Sequence, residues 1–196
     1  GFKDLSEGRE AKITSDNLRP AHTELTVSSE EYFEALPKIV RYFDEPVADP
    51  SAVGLYFLAK EARKKVKVVL SGEGADELFG GYNIYLEPLS FSRMWMKFFP
   101  KFLINSIFKP IAGIKFNFKG KNYLKRYFSK LEDWYIGNAS IFKNDEMKKI
   151  WKGSPYKKFD LANYYGKVAS LSDSTKMQFI DINTWLVGDI LAKADK

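Results

Sequence analysis

The sequence predicts an α/β fold in which helices outweigh strands, and three observations carry that prediction. Val66, Val68, Val69 and Leu70 form a β-branched run without polar alternation, the pattern of a short strand covered on both faces in a parallel sheet. Two helix starts precede it: Ser28 with Glu31 three residues later, and Asp49 followed directly by Pro50. A further apolar stretch at 24–27 offers an earlier strand, so that strand, helix and parallel strand follow one another in the order of a right-handed crossover.

Along the chain, His22 reads as a strand-entry residue and 24–27 as the first strand. Ser28 then opens a helix whose Tyr32, Leu36, Ile39, Val40 and Phe43 share a face. Pro37 lies inside that helix, where its missing amide and its ring predict a kink. Asp49 is expected as N-cap and Pro50 as first residue of the next helix, with Leu55, Leu58, Ala59 and Ala62 as its buried stripe. From Asp173 onward, Met177, Ile180, Asp181, Thr184, Trp185, Val187 and Leu191 recur at helical spacing and predict one long helix, bent at Gly188.

A chain of 196 residues with 45% hydrophobic content can bury one ordinary core. No apolar run approaches the roughly 18–20 residues that span a bilayer, no secretory leader is read, and a cytoplasmic location is the expectation. Absence of cysteine excludes disulfides and thiolate ligands, and the single His22 cannot build a histidine cluster, which argues against structural zinc.

Charge is concentrated. Arg93, Lys97, Lys101, Lys109, Lys115, Lys119, Lys121, Lys125, Arg126 and Lys130 face no acid between Pro88 and Leu131, so the net charge of +6 becomes −4 outside this segment. Aromatics interleave with these cations, a composition shared by RNA-binding faces and membrane-surface helices. Trp95, Phe98, Phe99 and Phe102 also recur at helical spacing, as do Tyr123, Tyr127 and Phe128, so a helical subdomain with aromatics inward is the favoured reading.

The chemistry gathers where the predicted strand ends. Leu70 hands over to Ser71-Gly72-Glu73-Gly74-Ala75-Asp76-Glu77-Leu78-Phe79-Gly80-Gly81-Tyr82, and parallel sheets bind ligands at such ends. Gly72 and Gly74 permit close backbone approach, Ser71 adds a small donor and acceptor, and Glu73, Asp76 and Glu77 would hold Mg2+ or an amine beside a nucleotide. From these residues alone a structural strand-to-helix turn, with Asp76 capping the next helix, competes evenly with a binding site.

Over its whole length SGEGADELFGGY is similar to the signature of the synthetase domain of glutamine-dependent asparagine synthetases. Phe43-Asp44-Glu45-Pro46-Val47-Ala48-Asp49-Pro50-Ser51-Ala52 resembles that family's DEP-x-x-DPSA loop, and Ala21-His22-Thr23-Glu24-Leu25 resembles its H-H-E strand start. Asp189-Ile190-Leu191-Ala192-Lys193-Ala194-Asp195-Lys196 resembles its D-[LI]-L-x-K-x-D-[RK] segment. The resemblance covers roughly residues 1–86 and 170–196. It implies part of an adenine nucleotide alpha hydrolase-like domain, Rossmann-like and of the PP-loop ATP pyrophosphatase kind, mostly helical and carrying an inserted helical subdomain. The divisions expected are 1–86 for the nucleotide-binding part, 87–169 for the basic aromatic subdomain and 170–196 for a helix returning to the active site.

The implied activity is that of a ligase forming C–N bonds. ATP and aspartate would give β-aspartyl-adenylate and pyrophosphate, and ammonia from glutamine would displace AMP to yield asparagine. Ser71 and Gly72 would contact ATP, Glu73 would serve the acyl-adenylate as catalytic and substrate-binding carboxylate, and Asp76 would bind substrate and Mg2+. Glu77 stands equally as site residue or helix cap, and Gly80 and Gly81 serve a tight turn with Tyr82 packed beneath. Asp189 and Lys193, four apart, share a helix face as an ion pair or as solvated neighbours.

The family's SGG-x-DS loop, which cradles pyrophosphate, does not occur in this sequence, and without cysteine the chain cannot supply the family's glutaminase nucleophile. Gly1-Phe2 resembles a pair that ends a core strand, and Lys196 falls inside an amphipathic pattern without a stop signal, so an internal fragment, inactive alone, is expected. A glutaminase domain would be its ammonia source; neither nucleic acid nor membrane contact is expected, and a homodimer is compatible with the sequence. The competing readings are a relative that amidates another carboxylate or a surface sugar, and a non-catalytic module binding RNA or anionic membrane through 88–131.

Overall fold

The computed structural model describes residues 8–20, 22–43, 49–89, 101–103, 106, 110–111, 121–138, 140, 142, 144–153 and 160–195. They belong to two compact units, Gly1–Val69 and Leu70–Lys196.

In the first unit α1 spans Gly8–Leu18, α2 Ser29–Tyr42 and α3 Ser51–Ala62. The sequence reading passed over α1 because nothing in it is buried, so it carries no apolar stripe. Local signals were sufficient for the other two. Ser28 Oγ accepts the Glu31 amide at 3.2 Å while Glu31 Oε2 accepts the Ser28 amide at 2.9 Å, completing a capping box. Asp49 Oδ1 accepts the Ser51 amide at 2.9 Å, and α3 starts one residue later than expected.

The two helices pack through Ala35 and Ile39 against Ala52 and Val53, flanked by Tyr32, Phe43, Tyr56 and Phe57. Small side chains on each helix permit this close approach, and the expected stripe of α2 is met in part, by Tyr32, Ile39 and Phe43. Leu36 and Val40 of α2 and Leu58 and Ala59 of α3 are exposed, Leu58 by 55%. Ala59, Ala62, Arg63, Val66, Lys67 and Val69 instead line an open groove.

Neither predicted strand forms, and among the described residues there is none. Residues 24–27 and 66–70 are irregular, and Val68 and Leu70 are 80% and 95% exposed rather than covered. A strand exists only as part of a ladder, and neither segment has a ladder partner among the described residues. The expected crossover is therefore not formed here, and the Rossmann-like architecture is not visible in the described residues.

In the second unit α4 spans Ala75–Phe79 and a 3-10 helix Asn83–Leu86. Then follow α5 Lys121–Phe128, α6 Leu131–Trp134, α7 Asn144–Ile150, α8 Ala162–Lys167 and α9 Asp173–Asn183. A π-helical turn, Leu186–Ile190, leads into α10, Leu191–Asp195. Met177 and Ile180 of α9 are fully buried at the centre, packed with Tyr85, Leu131, Tyr135, Leu161 and Tyr165.

The expected long helix breaks at Thr184 (φ −128°, ψ −76°), and the π turn that follows contains Gly188. That break resets the helical phase: Val187 and Leu191 are exposed, and Leu186 and Ile190 are buried in their place.

Much of the basic aromatic segment, including Trp95, Phe98 and Phe99, lies outside the described residues, as do Asp44–Ala48 and Gly1–Phe2. In the described part Phe102 and Tyr127 are exposed, and α5 buries Leu124. Arg126, one of the ten cations of the basic segment, is engaged: Nη1 donates to both Glu87 oxygens at 2.6 Å, and the guanidinium lies 4.6 Å from the Trp134 ring centroid.

Candidate functional site

The SGEGADELFGGY loop folds as a single helical turn between two left-handed glycines. Ser71 Oγ accepts the Glu73 amide at 3.4 Å, and the Gly72 carbonyl accepts the Ala75 amide at 3.1 Å. Gly74 (φ +88°) opens α4 and Gly80 (φ +75°) closes it, conformations that an L side chain would strain. Of the two glycines expected to use special backbone angles, only Gly74 does so; Gly72 lacks a positive φ and faces open space.

Successive residues on a helix are turned about 100° apart, so Asp76 and Glu77 cannot serve the same face. Asp76 is exposed, as are Ser71, Gly72 and Glu73, whereas Glu77 is only 1% exposed. Glu77 therefore faces the core. Its Oε1 accepts the Tyr82 hydroxyl at 3.0 Å, and Oε2 is buried without a hydrogen-bond partner among the described residues.

Helix α9 clamps this turn. Gln178 Nε2 donates to the Glu77 carbonyl at 2.9 Å and to the Leu78 carbonyl at 3.3 Å, satisfying the end of α4. Ser174 Oγ donates to the Tyr85 carbonyl at 2.6 Å, and the Leu186 methyls would lie 3.4 Å from a Cβ placed on Gly74. Tyr82 packs beneath the turn as expected, stacked on Trp185 at 5.3 Å between centroids. Trp185 Nε1 in turn donates to Asp189 Oδ2 at 3.0 Å, and Lys193 is buried rather than solvated.

Below lies a second buried carboxylate. Asp181 Oδ2 accepts the Tyr85 hydroxyl at 2.6 Å and also that of Tyr135, while Oδ1 accepts the Asn138 amide at 2.9 Å. Burial first, then hydrogen bonding to Glu77 and its charge, raises the Tyr82 pKa well above the ordinary tyrosine value. Burial and then Asp181 do the same for Tyr85 and Tyr135. These phenols remain protonated donors throughout the neutral range.

Ser174, Gln178 and Asp181 were not singled out for the site from sequence. Their signal was present: the polar residues Ser174, Gln178 and Asp181 recur four and three apart along one face of an otherwise core-facing helix. Among the described residues no group of three His, Asp or Glu side chains could hold a metal ion. Asp76 by itself is an exposed carboxylate, which fits the way Mg2+ is commonly held, by one or two carboxylates together with phosphate oxygens.

Fold and site define a helical domain that presents a glycine-bracketed acidic turn from a clamped core. The chain belongs to the asparagine synthase family, whose model, described as Asparagine synthase, matches residues 1–196. It is 47% identical to asparagine synthetase (glutamine-hydrolyzing) 1 of Bacillus subtilis, over 98% of this chain and 30% of that protein. It is 45% identical to the putative asparagine synthetase (glutamine-hydrolyzing) of Mycobacterium bovis and of Mycobacterium tuberculosis, over 100% of this chain and 30% of each. The chain thus spans about 30% of the length of the curated relatives it matches. No solved structure matches it significantly.

Proposed function

We propose that this chain is the loop-bearing part of the synthetase domain of a glutamine-hydrolysing asparagine synthetase. The observation that carries the reading is the match of the whole chain to the family, together with an intact acidic turn. In the reaction a side-chain carboxylate oxygen of aspartate attacks the α-phosphorus of ATP and pyrophosphate leaves. Ammonia then attacks the acyl carbon, AMP leaves, and the nitrogen gives up one proton to become the amide.

Ser71 and Gly72 would meet ATP; their exposure at the open side of the turn supports that role. Glu73 would hold the ammonium group of aspartate and so orient the attacking carboxylate. Asp76 would hold Mg2+, whose charge offsets that of the phosphates. Residues 66–70, apolar and exposed, would form a parallel strand once paired with other segments of the whole protein, giving the Rossmann-like sheet its ligand-bearing end. The chain holds no cysteine, so glutamine hydrolysis by the family's cysteine nucleophile would belong to another part of the protein. A cytoplasmic site of action accords with these small polar substrates; no helix among the described residues is long and apolar enough to cross a membrane.

The reading is tested in the whole protein by following aspartate-dependent AMP formation. Glu73→Gln and Asp76→Asn are each expected to lower kcat/KM by at least about a hundredfold, the scale of losing one charge-stabilising group. Wild-type rates in both variants would exclude the assignment.

A further inference from the structure

The glycine at position 81 is unexplained by backbone geometry. It is not among the glycines with positive φ, so its conformation would admit a side chain. What forbids one is Asp76: a Cβ at Gly81 would run into Asp76 Oδ1 and lie 3.3 Å from Asp76 Cα. The Gly81 amide also donates to the Asp76 carbonyl at 2.9 Å, so backbone and side chain of Asp76 both close on the same residue. From below, the helix carrying Asp76 is fixed by the buried Glu77 carboxylate on Tyr82, and Tyr82 is fixed by its stack on Trp185.

We infer that Gly81 is a positioning residue for Asp76, and that the Glu77–Tyr82 pair is the support on which this placement rests. An exposed aspartate on a single turn of helix would otherwise exchange among rotamers, and the ordering cost would fall on ligand binding. The bare Cα of Gly81 leaves a shelf on which the carboxylate lies across the turn. Tyr82 helps Gln178 keep α4 from rolling: it donates to the Glu77 carboxylate, whose other oxygen has no partner among the described residues, while Gln178 holds the end of the turn. A methyl group at position 81 displaces the carboxylate, and the exposed turn gives slightly to relieve the 3.3 Å contact with the Asp76 Cα.

This inference rests on the reading that Asp76 binds the Mg2+-nucleotide. The experiment measures aspartate-dependent AMP formation by the whole enzyme, with KM for Mg·ATP and kcat separated, and the melting temperature alongside. Gly81→Ala is expected to raise KM for Mg·ATP about tenfold with the melting temperature retained, a split that simple destabilisation does not produce. Tyr82→Phe, which keeps the ring and loses the donor, is expected to move KM in the same direction. In an Asp76→Asn background neither change should add to the loss, since both act through Asp76. An unchanged KM in Gly81→Ala, or an effect that multiplies with Asp76→Asn, overturns the inference. Wild-type KM in Asp76→Asn alone removes the underlying reading as well.

Discussion

At the scale of single residues, the buried carboxylates have opposite economies. Asp181 accepts two phenols and an amide, so its desolvation is offset by three donors. Glu77 has, among the described residues, one donor and one oxygen without a partner, a local cost in stability. Removing the well-satisfied acceptor should therefore be severe. Asp181→Ala strands the Tyr85 and Tyr135 hydroxyls and the Asn138 amide in the core, and urea denaturation is expected to register a loss of roughly 3–5 kcal/mol. Asp181→Asn retains one acceptor oxygen and should cost visibly less; equal stability of wild type and the alanine variant would show that this network does not support the core.

At the scale of elements, what the sequence made legible is what neighbours in the chain determine. The capping box at Ser28 and the aspartate before α3 needed only local partners, and both formed. Ser28→Ala should accordingly cost about 1 kcal/mol, read as a shift in the denaturation midpoint of the Gly1–Val69 unit with an unchanged slope; a midpoint at the wild-type value would deny the cap its role. Strands 24–27 and 66–70 were not decided locally, because a ladder requires a neighbour that the described residues do not supply. The end of the long helix failed differently: 3.6-residue spacing held through Asp181, and the break at Thr184 then turned Val187 and Leu191 outward. In the candidate site, the run from Ser71 to Tyr82 was readable as a string. The division between outward Asp76 and inward Glu77 was not, since it depends on where α9 places Gln178 and on the Tyr82–Trp185 stack that follows its break.

At the scale of the whole molecule, the phenol-rich core implies an uneven response to alkali. Tyr82, Tyr85, Tyr135 and Tyr165 all have pKa values raised above the ordinary 10.0, each chiefly by burial, and all lie in the Leu70–Lys196 unit. A raised folded-state pKa means that the folded chain holds its proton where the unfolded chain has released it. The stabilisation is thus complete below the unfolded value and is lost as pH climbs past it toward the folded value. For each buried phenol the slope is about −1.4 kcal/mol per pH unit in that window. Tyrosinate absorbance and circular dichroism, followed together through an alkaline titration, should show these four phenols ionising only as helical signal from their unit disappears. Ionisation of every tyrosine near pH 10 with the helical signal intact would contradict a core built on protonated phenols held by Asp181 and Glu77.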